Sequence, residues 1–397
     1  MKMEKKINLG IFGFGCVGQG LYNVLNHTRG FNATIRKICI KHPEKKRILD
    51  ASLFTTDRNE ILNDPEIDVI VELIDDVQAA FEIVETALKK KKAVVSANKK
   101  MIAEHLDELL RLQQENGVSF LYEASCCASI PIIRNLEEYY DNELLRSVEG
   151  ILNGSTNYIL THIFQHNKSF EKALKEAQEM GFAESDPRLD VEGFDAKYKL
   201  MIILVHAFGI VLHPGDVFNY GIQHLNDFDI RHAKEKNATI KLIANCRKVG
   251  NKVYAYCMPK FVPLSDTLNK VNFEYNGLIL EGAFSENQFF MGKGAGGNST
   301  GSAVLSDISA LTYGYRYEYK KMDQHLNYKY SNDHVVEVYV RQKGKLKIDP
   351  AVFESVSIRY ESPECDYFIA KINLQKIMNS EWLNDPDISI ILTENNT

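Results

Sequence analysis

The first part of the chain alternates short apolar segments with segments of helical periodicity, and this alternation limits the fold more than any other feature. Strands are predicted at residues 7–12, 34–40, 69–74, 93–96 and 118–122, with helices at 79–90 and 103–115. Short apolar strands that alternate with helices indicate a parallel sheet with helices on both faces. We therefore predict an α/β fold, with a doubly wound Rossmann-type sheet in residues 1–130.

The first predicted strand runs into a G-x-G-x-x-G sequence at residues 13–18, after which apolar residues recur at helical spacing. Glycines in this strand–turn–helix context allow a tight turn and bring the helix N-terminus close to a pyrophosphate. The predicted contacts with a dinucleotide are Gly13, Phe14, Gly15, Cys16, Val17 and Gly18. An ordinary glycine-rich turn is the alternative, and the alternating elements that follow favour the cofactor site.

The residues after the second predicted strand bear on the choice of cofactor. A site for NAD usually places an acidic residue there, where it binds the ribose hydroxyls. This chain instead has Lys41 followed by a basic cluster at 45–47, which suits a 2′-phosphate. NADP is therefore predicted, with Lys41 as a contact. Glu44 leaves NAD open, and a solvated basic loop is the alternative interpretation.

An acidic segment at residues 181–199 runs directly into the apolar residues 200–205. Asp195 and Lys199 have helical i, i+4 spacing, and the helix that carries them has almost no polar face, so it is expected to be buried. A lysine at the first turn of such a helix would face a cleft, where a desolvated amine can move protons. Asp195 would orient Lys199, and a surface salt bridge is the alternative.

Composition limits the class of protein. The net charge of −6 argues against general affinity for nucleic acid, and no apolar run is long enough to span a membrane. No signal peptide is recognised, and the seven cysteines are scattered without metal-ligand spacing. A cytoplasmic protein with reduced thiols is therefore expected.

The alternating pattern ends near residue 130, so a second, α+β domain is predicted at 131–294. Residues 150–157 predict a strand, a polar turn and a helix that Ser155 or Thr156 would cap. A small C-terminal α+β domain is predicted at 332–397. Its predicted strands lie at 335–341, 355–360, 367–374 and 388–392.

Several sequence blocks are shared with a known family and run in its order from about residue 7 to 310. They lie at 13–18, 94–100, 122–125, 130–133, 150–160, 181–199, 292–296 and 302–304. In these blocks the chain resembles homoserine dehydrogenase. The blocks at 150–160 and 181–199 are specific to that family, whereas the glycine motif is not. No aspartokinase region is seen upstream, so a monofunctional enzyme is expected.

The resemblance implies that the chain interconverts L-aspartate 4-semialdehyde and L-homoserine by hydride transfer with NADPH. This reaction belongs to the synthesis of threonine, methionine and isoleucine from aspartate. The resemblance further implies a homodimer formed through the middle domain, and residues 295–325 that pack back on the first domain.

The resemblance also implies roles for single residues. Lys199 would donate a proton to the substrate oxygen, supported by Asp195, and Lys99 would lie beside cofactor and substrate. Glu184 and Asp190 would bind the amino-acid substrate. Ser96, Lys99, Gly181 and Gly296 would line the cofactor pocket.

A monovalent cation site, usually sodium, is implied as well. Its ligands would be Glu123 and the backbone carbonyls of Cys126, Ala128 and Ile130, an all-oxygen set that suits a hard ion. The stretch 126–129 replaces residues that are usually rich in glycine. The backbone would therefore differ here if those glycines need a positive φ.

A second departure is that Asp75 and Asp76 stand near the place of a glycine pair, where they would lie near the nicotinamide. Many bacterial relatives carry a regulatory ACT module at the C-terminus. Residues 332–397 are therefore predicted to be a degenerate ACT-like module, and feedback by an amino acid is left open. The alternatives are another NAD(P)-dependent oxidoreductase and a non-catalytic cofactor-binding sensor, and a sensor would not need Asp195 and Lys199.

Overall fold

The structure is a computed structural model that describes residues 6–180, 186–324, 326–343, 348–363 and 365–393. The chain forms two compact units, unit 1 with residues 1–141 and 292–323, and unit 2 with residues 142–291 and 324–397. This division differs from the predicted boundaries in two places. Residues 131–141 belong to unit 1, and the C-terminal residues belong to the same unit as the middle of the chain.

The helices and strands of the described residues are numbered in chain order. Strands β1–β17 lie at Ile7–Phe12, Ala33–Cys39, Phe54–Thr55, Val69–Glu72, Ala93–Ser96, Phe120–Leu121, Leu145–Ile151, Phe218–Asn219, Ala238–Val249, Lys252–Pro263, Tyr275–Gly282, Glu286–Lys293, Lys329–Tyr330, Val335–Gln342, Ser355–Glu361, Asp366–Asn373 and Ile388–Leu392. Helices α1–α13 lie at Cys16–His27, Asn59–Leu62, Val77–Lys89, Lys99–Asn116, Ile132–Glu138, Gly154–His166, Phe170–Glu179, Arg188–Val191, Phe194–Phe208, Asp227–Glu235, Gly297–Ala310, Lys320–Asp323 and Leu374–Met378.

Unit 1 is built on a six-stranded parallel sheet with the order β3-β2-β1-β4-β5-β6. Strand β4 is buried along its whole length, as expected of a strand with helices on both faces of the sheet. The order 3-2-1-4-5-6 is that of dinucleotide-binding sheets. The predicted α/β fold with a Rossmann-type sheet is therefore confirmed.

Helices α1 and α11 of unit 1 cross at glycines. A Cβ atom on Gly20 would lie 1.9 Å from the carbonyl oxygen of Gly297, and one on Gly301 would lie 2.5 Å from the backbone nitrogen of Leu21. Only glycine allows the backbones to approach this closely. Helix α11 thereby packs on the helix that follows the glycine-rich turn.

Unit 2 contains a mixed sheet of 11 strands, with the main order β12-β11-β7-β9-β10-β17-β14-β16-β15. The C-terminal strands join the rest of this sheet where Lys260 of β10 pairs with Leu392 of β17. Tyr256 and Met258 of β10 lie in one apolar core with Val338 and Phe368 of the C-terminal strands. The residues predicted as a separate small domain, 332–397, thus share a sheet and a core with the middle of the chain.

Helix α9 is buried on all sides from Asp195 to Phe208, as its apolar sequence predicted. The predicted cap of helix α6 was wrong. Asn153 is the N-cap, because its side chain accepts from the backbone N–H of Thr156, whereas Ser155 and Thr156 lie inside the first turn. In the described part of the chain, no helix is long and apolar enough to cross a membrane.

Candidate active site

The glycine-rich turn of unit 1 leaves space at the start of helix α1. Gly13 has φ +94°, and a Cβ atom there would lie 2.7 Å from the carbonyl oxygen of Leu73. A Cβ on Gly18 would lie 2.6 Å from the carbonyl oxygen of Gly13, whereas one on Gly15 would meet nothing within 4 Å. Gly15 caps α1 and has no side chain to bond the first N–H groups, which suits the binding of an anion.

The other predicted cofactor contacts in this unit follow strands of the same sheet. Exposed Lys41 follows β2, Ser96 ends β5, and half-buried Lys99 begins α4. Because the strands are parallel, their carboxyl ends lie at one edge of the sheet, where Rossmann folds bind dinucleotides. Gly296, with φ +120°, directly precedes α11. The structure brings Lys41, Ser96 and Lys99 to the edge where the glycine-rich turn lies.

Glu72 is a buried residue at this edge that sequence reasoning missed. It is fully buried at the end of β4, where its carboxylate accepts from Ser96 Oγ at 2.5 Å and from the backbone N–H of Ile74 at 2.8 Å. Burial raises the pKa of Glu72 to about 7. The signal in the sequence is the single acidic residue that ends an apolar strand. Nearby Asp76 caps α3 through the N–H of Ala79.

A second buried carboxylate of unit 1, Glu123, caps helix α5. Its two oxygens accept from the backbone N–H groups of Ile133 and Arg134, each at 2.9 Å, and its own N–H donates to Asp307. Asp307 also accepts from the Arg134 guanidinium at 2.8 Å. Burial, and then the charge of Asp307, raise the pKa of Glu123 to about 8. We call Glu123, Asp307 and Arg134 the helix-capping cluster.

The turn that follows Glu123 has left-handed backbone at two residues that are not glycine. Cys127 has φ +53° and Ala128 has φ +39°, and both are buried. The backbone therefore has the positive φ values that a glycine-rich stretch adopts, although the glycines are missing. In the described residues, no group of three or more His, Cys, Asp or Glu side chains could hold a metal ion.

In unit 2, Lys199 and Asp195 form a buried pair on helix α9. The Lys199 ammonium donates to Asp195 Oδ2 at 2.8 Å and to the carbonyl oxygen of Leu152 at 2.7 Å. Each side chain is only 8% exposed, so the pair is not a surface salt bridge. Asn276 of β11 also donates to the Leu152 carbonyl, at 3.0 Å. The structure therefore holds a buried lysine against a carboxylate, an arrangement that general acid–base chemistry can use.

Asn153 and Asp190 extend this pair into a cluster. The Asn153 amide nitrogen lies 2.7 Å from Asp190 Oδ1 and 2.8 Å from Asp195 Oδ2. Burial, and then the charge of Asp195, raise the pKa of Asp190. We call Asn153, Asp190, Asp195 and Lys199 the catalytic cluster, after the role that we propose for Lys199 below. Sequence reasoning missed Asn153, although an asparagine at a strand-to-helix turn is a signal for a cap.

Two of the predicted site residues, Gly181 and Glu184, lie outside the described residues. Asp186, which had no predicted role, is exposed and bonded by the Arg188 guanidinium next to it in the chain. Asp190 is the predicted substrate residue that the structure places beside Lys199.

Comparison with known proteins identifies similar families and structures. Residues 131–309 match the family model for homoserine dehydrogenase, and residues 13–123 match the model for the NAD-binding domain of homoserine dehydrogenase. The homoserine dehydrogenase of Bacillus subtilis (strain 168) is 36% identical over 316 residues, which cover 77% of this chain and 73% of that protein. That of Helicobacter pylori is 34% identical over 313 residues, covering 77% and 74%.

Solved structures are similar over most or nearly all of the chain. A homoserine dehydrogenase from Thiobacillus denitrificans has a TM-score of 0.87 and 28% identity, covering 99% of both chains. The S. aureus homoserine dehydrogenase at pH 6.0 has a TM-score of 0.75 and 30% identity, covering 98% of this chain and 99% of that one. A hyperthermophilic archaeal homoserine dehydrogenase in complex with NADPH has a TM-score of 0.68 and 25% identity, covering 79% and 99%.

Proposed function

Because the chain belongs to the homoserine dehydrogenase family and is an oxidoreductase acting on a CH–OH group, we propose that it interconverts L-aspartate 4-semialdehyde and L-homoserine with NADP. The observation that carries this proposal is the buried pair of Lys199 and Asp195. A non-catalytic sensor would have no need to bury a lysine with its carboxylate. The reaction would serve the synthesis of threonine, methionine and isoleucine from aspartate.

The reduced nicotinamide, when bound, supplies the hydride to the aldehyde carbon. Lys199 donates a proton to the alkoxide oxygen that develops on the substrate, and Asp195 holds the ammonium in place through the bond at 2.8 Å. The Leu152 carbonyl, bonded to Lys199 at 2.7 Å, limits the positions that the ammonium can take. A positioned donor of this kind lowers the barrier without any reorganisation of solvent.

The reverse reaction uses the same groups. To oxidise homoserine, Lys199 accepts the hydroxyl proton and must therefore be neutral when the substrate binds. The rate of oxidation is expected to rise with pH until Lys199 is neutral in most molecules. Initial rates of homoserine oxidation with NADP across a pH series test this, and a flat profile would contradict a lysine base.

Asp190 is the described residue that we propose for the substrate ammonium group, together with Glu184. Asp190 is a partly exposed carboxylate bonded to Asn153, next to the Lys199 and Asp195 pair. A carboxylate beside the proposed proton donor can bind the ammonium group of an α-amino acid. Asp190→Asn should raise KM for homoserine more than it lowers kcat.

The preference for NADP is proposed from the loop after β2. Lys41 is exposed there, and Glu44 is engaged by His42 at 3.1 Å. Arg47 bonds the carbonyls of His42 and Lys45, which holds the loop together. Lys41 would bind the 2′-phosphate, and Ser96, Lys99 and Gly296 of the same unit are proposed as further cofactor contacts. Gly181 is proposed as a contact as well, although it lies outside the described residues. The NADPH in the archaeal relative agrees with this choice.

Lys41→Ala is expected to raise KM for NADPH roughly tenfold, the effect of losing one charge-assisted bond, and to leave KM for NADH unchanged. Lys37→Ala, in β2, is the matched control because Lys37 is a basic side chain that pairs with Glu60 instead. Equal losses for both cofactors in Lys41→Ala would contradict a contact with the 2′-phosphate.

A monovalent cation, sodium, is proposed beside Glu123, with the carbonyls of Cys126, Ala128 and Ile130 as the other ligands. The turn has the left-handed backbone that glycines would adopt, and the raised pKa of Glu123 reflects a buried acid beside Asp307. A cation would offset that repulsion and would shape the turn. Thermal unfolding in sodium, potassium and tetramethylammonium chloride at equal ionic strength tests this site. Equal stability in all three salts would contradict a bound cation.

The chain is also proposed to be a cytoplasmic homodimer assembled through residues 131–294. All seven cysteines are free thiols, which agrees with a reducing compartment. Light scattering on the purified chain measures the mass in solution, and a monomer would contradict the dimer.

A direct assay decides the main proposal. Aspartate semialdehyde is mixed with NADPH or with NADH, and oxidation of the cofactor is followed by absorbance. Turnover with NADPH is the expected result, whereas no turnover with either cofactor would contradict an enzyme of this reaction. Rescue of a homoserine auxotroph by the expressed chain would place the reaction in the proposed pathway.

A further inference from the structure

We propose that Asn153 is a positioning residue of the catalytic cluster, whose side-chain amide bridges the carboxylates of Asp190 and Asp195 and thereby holds Asp195 against Lys199. This inference deepens the proposed function and rests on it. Asn153 would act through its neighbours, without contact with the reacting atoms. Three features of the amide support this role: its orientation, the hydrogen bonds of both its protons and the charge around it.

Hydrogen bonds from the first turn of helix α6 fix the orientation of the Asn153 amide. Its Oδ1 atom accepts from the backbone N–H of Thr156 at 2.8 Å and from the Thr156 hydroxyl at 2.8 Å. A backbone N–H can only donate, so the amide oxygen must face the helix and the nitrogen must face away from it. In the reversed amide, the nitrogen would face the Thr156 N–H, so two donors would meet. The amide oxygen would then face two carboxylates, so acceptors would meet there.

Both protons of the amide nitrogen then form hydrogen bonds on the side that faces away from helix α6. One reaches Asp190 Oδ1 at 2.7 Å and the other reaches Asp195 Oδ2 at 2.8 Å. The same Asp195 oxygen accepts from the Lys199 ammonium at 2.8 Å. Asn153 and Lys199 therefore hold a single oxygen of Asp195 from two directions, which prevents the carboxylate from turning away from the lysine.

The charge of the cluster explains why a neutral bridge is needed. Asp195 is a buried acid and Asp190 a partly exposed one, and Lys199 is the basic group that acts on Asp190 from helix α9. Burial and the charge of Asp195 raise the pKa of Asp190, whereas bonds from Asn153 and Ser155 and the charge of Lys199 lower it. An amide stabilises both carboxylates without adding a second cation that would compete for Asp195.

The simpler role for Asn153 is only to cap helix α6, and two variants separate these roles. Asn153→Asp keeps the oxygen that Thr156 needs, and aspartate is as good a cap as asparagine. The same change removes both N–H donors and adds a third carboxylate. Asn153→Ala removes the cap and the bridge together. Asn226→Ala is the matched control, because Asn226 caps α10 in the same unit through the N–H groups of Phe228 and Asp229.

Kinetics of homoserine oxidation with NADP are measured for the wild type and these variants. We expect kcat to fall roughly 10- to 100-fold in both Asn153 variants, the cost of a misplaced catalytic group, with little change in Asn226→Ala. The dependence of kcat/KM on pH should also differ from wild type in Asn153→Ala, because Asp190 and Asp195 each lose a donor. Wild-type kcat and pH profile in Asn153→Asp would overturn the proposal.

A readout that does not depend on turnover is the thermal unfolding of Asn153→Asp. A third carboxylate in the buried cluster has a folded-state pKa above its unfolded value, so Tm should fall relative to wild type as pH rises from about 4 to 7. A Tm difference that stays constant with pH would overturn the bridge. If this pH effect appeared but the wild type turned over no homoserine, the proposed function would fail and the bridge would stand.

Discussion

The helix-capping cluster of unit 1 and the catalytic cluster of unit 2 contain the same charges in different surroundings. Each has two carboxylates and one basic side chain, and of the four acids Asp190 is the one that is partly exposed. In the helix-capping cluster the acids accept mainly from backbone N–H groups, at the N-terminus of α5 and at Glu123 itself. In the catalytic cluster the donors to the acids include the side chains of Lys199, Asn153 and Ser155.

The kind of donor that a buried carboxylate accepts from indicates whether its role is structural or chemical. A backbone N–H is fixed by the helix and cannot exchange its proton with a substrate, so a carboxylate bonded to it stabilises the fold. A lysine ammonium can give its proton away and take it back. Buried acids are therefore weak indicators of catalysis until their donors are known.

The largest expected effect is that of Lys199→Met. This change removes the proposed proton donor and should lower kcat by roughly 10²- to 10⁴-fold, the range for loss of general acid–base catalysis. Lys197→Met is the matched control, since Lys197 is a buried lysine of the same helix that lies over the Phe194 ring. Near-normal homoserine oxidation by Lys199→Met would contradict the proposal that Lys199 transfers the proton.

Asp307→Asn should show the opposite pattern. It breaks the pair with Arg134, which should cost roughly 2–3 kcal/mol, below the value for a fully buried pair because the Arg134 side chain is 22% exposed. The kcat of the folded enzyme should stay within about twofold of wild type. Urea unfolding and kinetics at a permissive temperature measure the two quantities. A large fall in kcat with unchanged stability would contradict a structural role.

The pH dependence of stability sharpens the comparison further. Burial raises the pKa of Asp307 from 3.8 to about 6, and that of Glu123 to about 8. An acid with a raised folded-state pKa loses stability as pH rises from its unfolded to its folded pKa. For Asp307 the loss is roughly 3 kcal/mol between pH 4 and 6.

Thermal unfolding from pH 4 to 8 should therefore show a falling Tm for the wild type and a smaller slope for Asp307→Asn. Homoserine oxidation should instead increase with pH, because the proposed base Lys199 must lose its proton. Stability and activity would then respond to pH in opposite directions. Equal slopes for the two proteins would show that Asp307 titrates normally.

The smallest effect concerns the left-handed turn after Glu123. Ala128→Gly should stabilise the protein by up to about 1 kcal/mol, because glycine adopts φ +39° without strain. Ala124→Gly, in the neighbouring turn where no positive φ occurs, should instead cost up to about 1 kcal/mol. Urea unfolding of both variants compares them, and destabilisation of equal size would argue against strain at Ala128.

The sequence predicted the parts of each site that are local. The glycine-rich turn lies between a strand and a helix that adjoin it, and Asp195 and Lys199 are one helical turn apart. The contacts of Asn153 with Asp190 and Asp195 span 37 and 42 residues, and the bond from Glu123 to Asp307 spans 184. Periodicity contains no information about contacts at such separations.

The sequence by itself therefore determined the Rossmann-type sheet, the nucleotide-binding turn and the lysine–aspartate pair, because hydrophobic periodicity and short spacings encode them. Only the tertiary structure decided which carboxylates share a donor and where the C-terminal strands belong. Asn153 meets Asp190 because separate helices pack there, and β17 joins β10 because their apolar faces complete one core. Those choices depend on burial of surfaces that are distant in the chain.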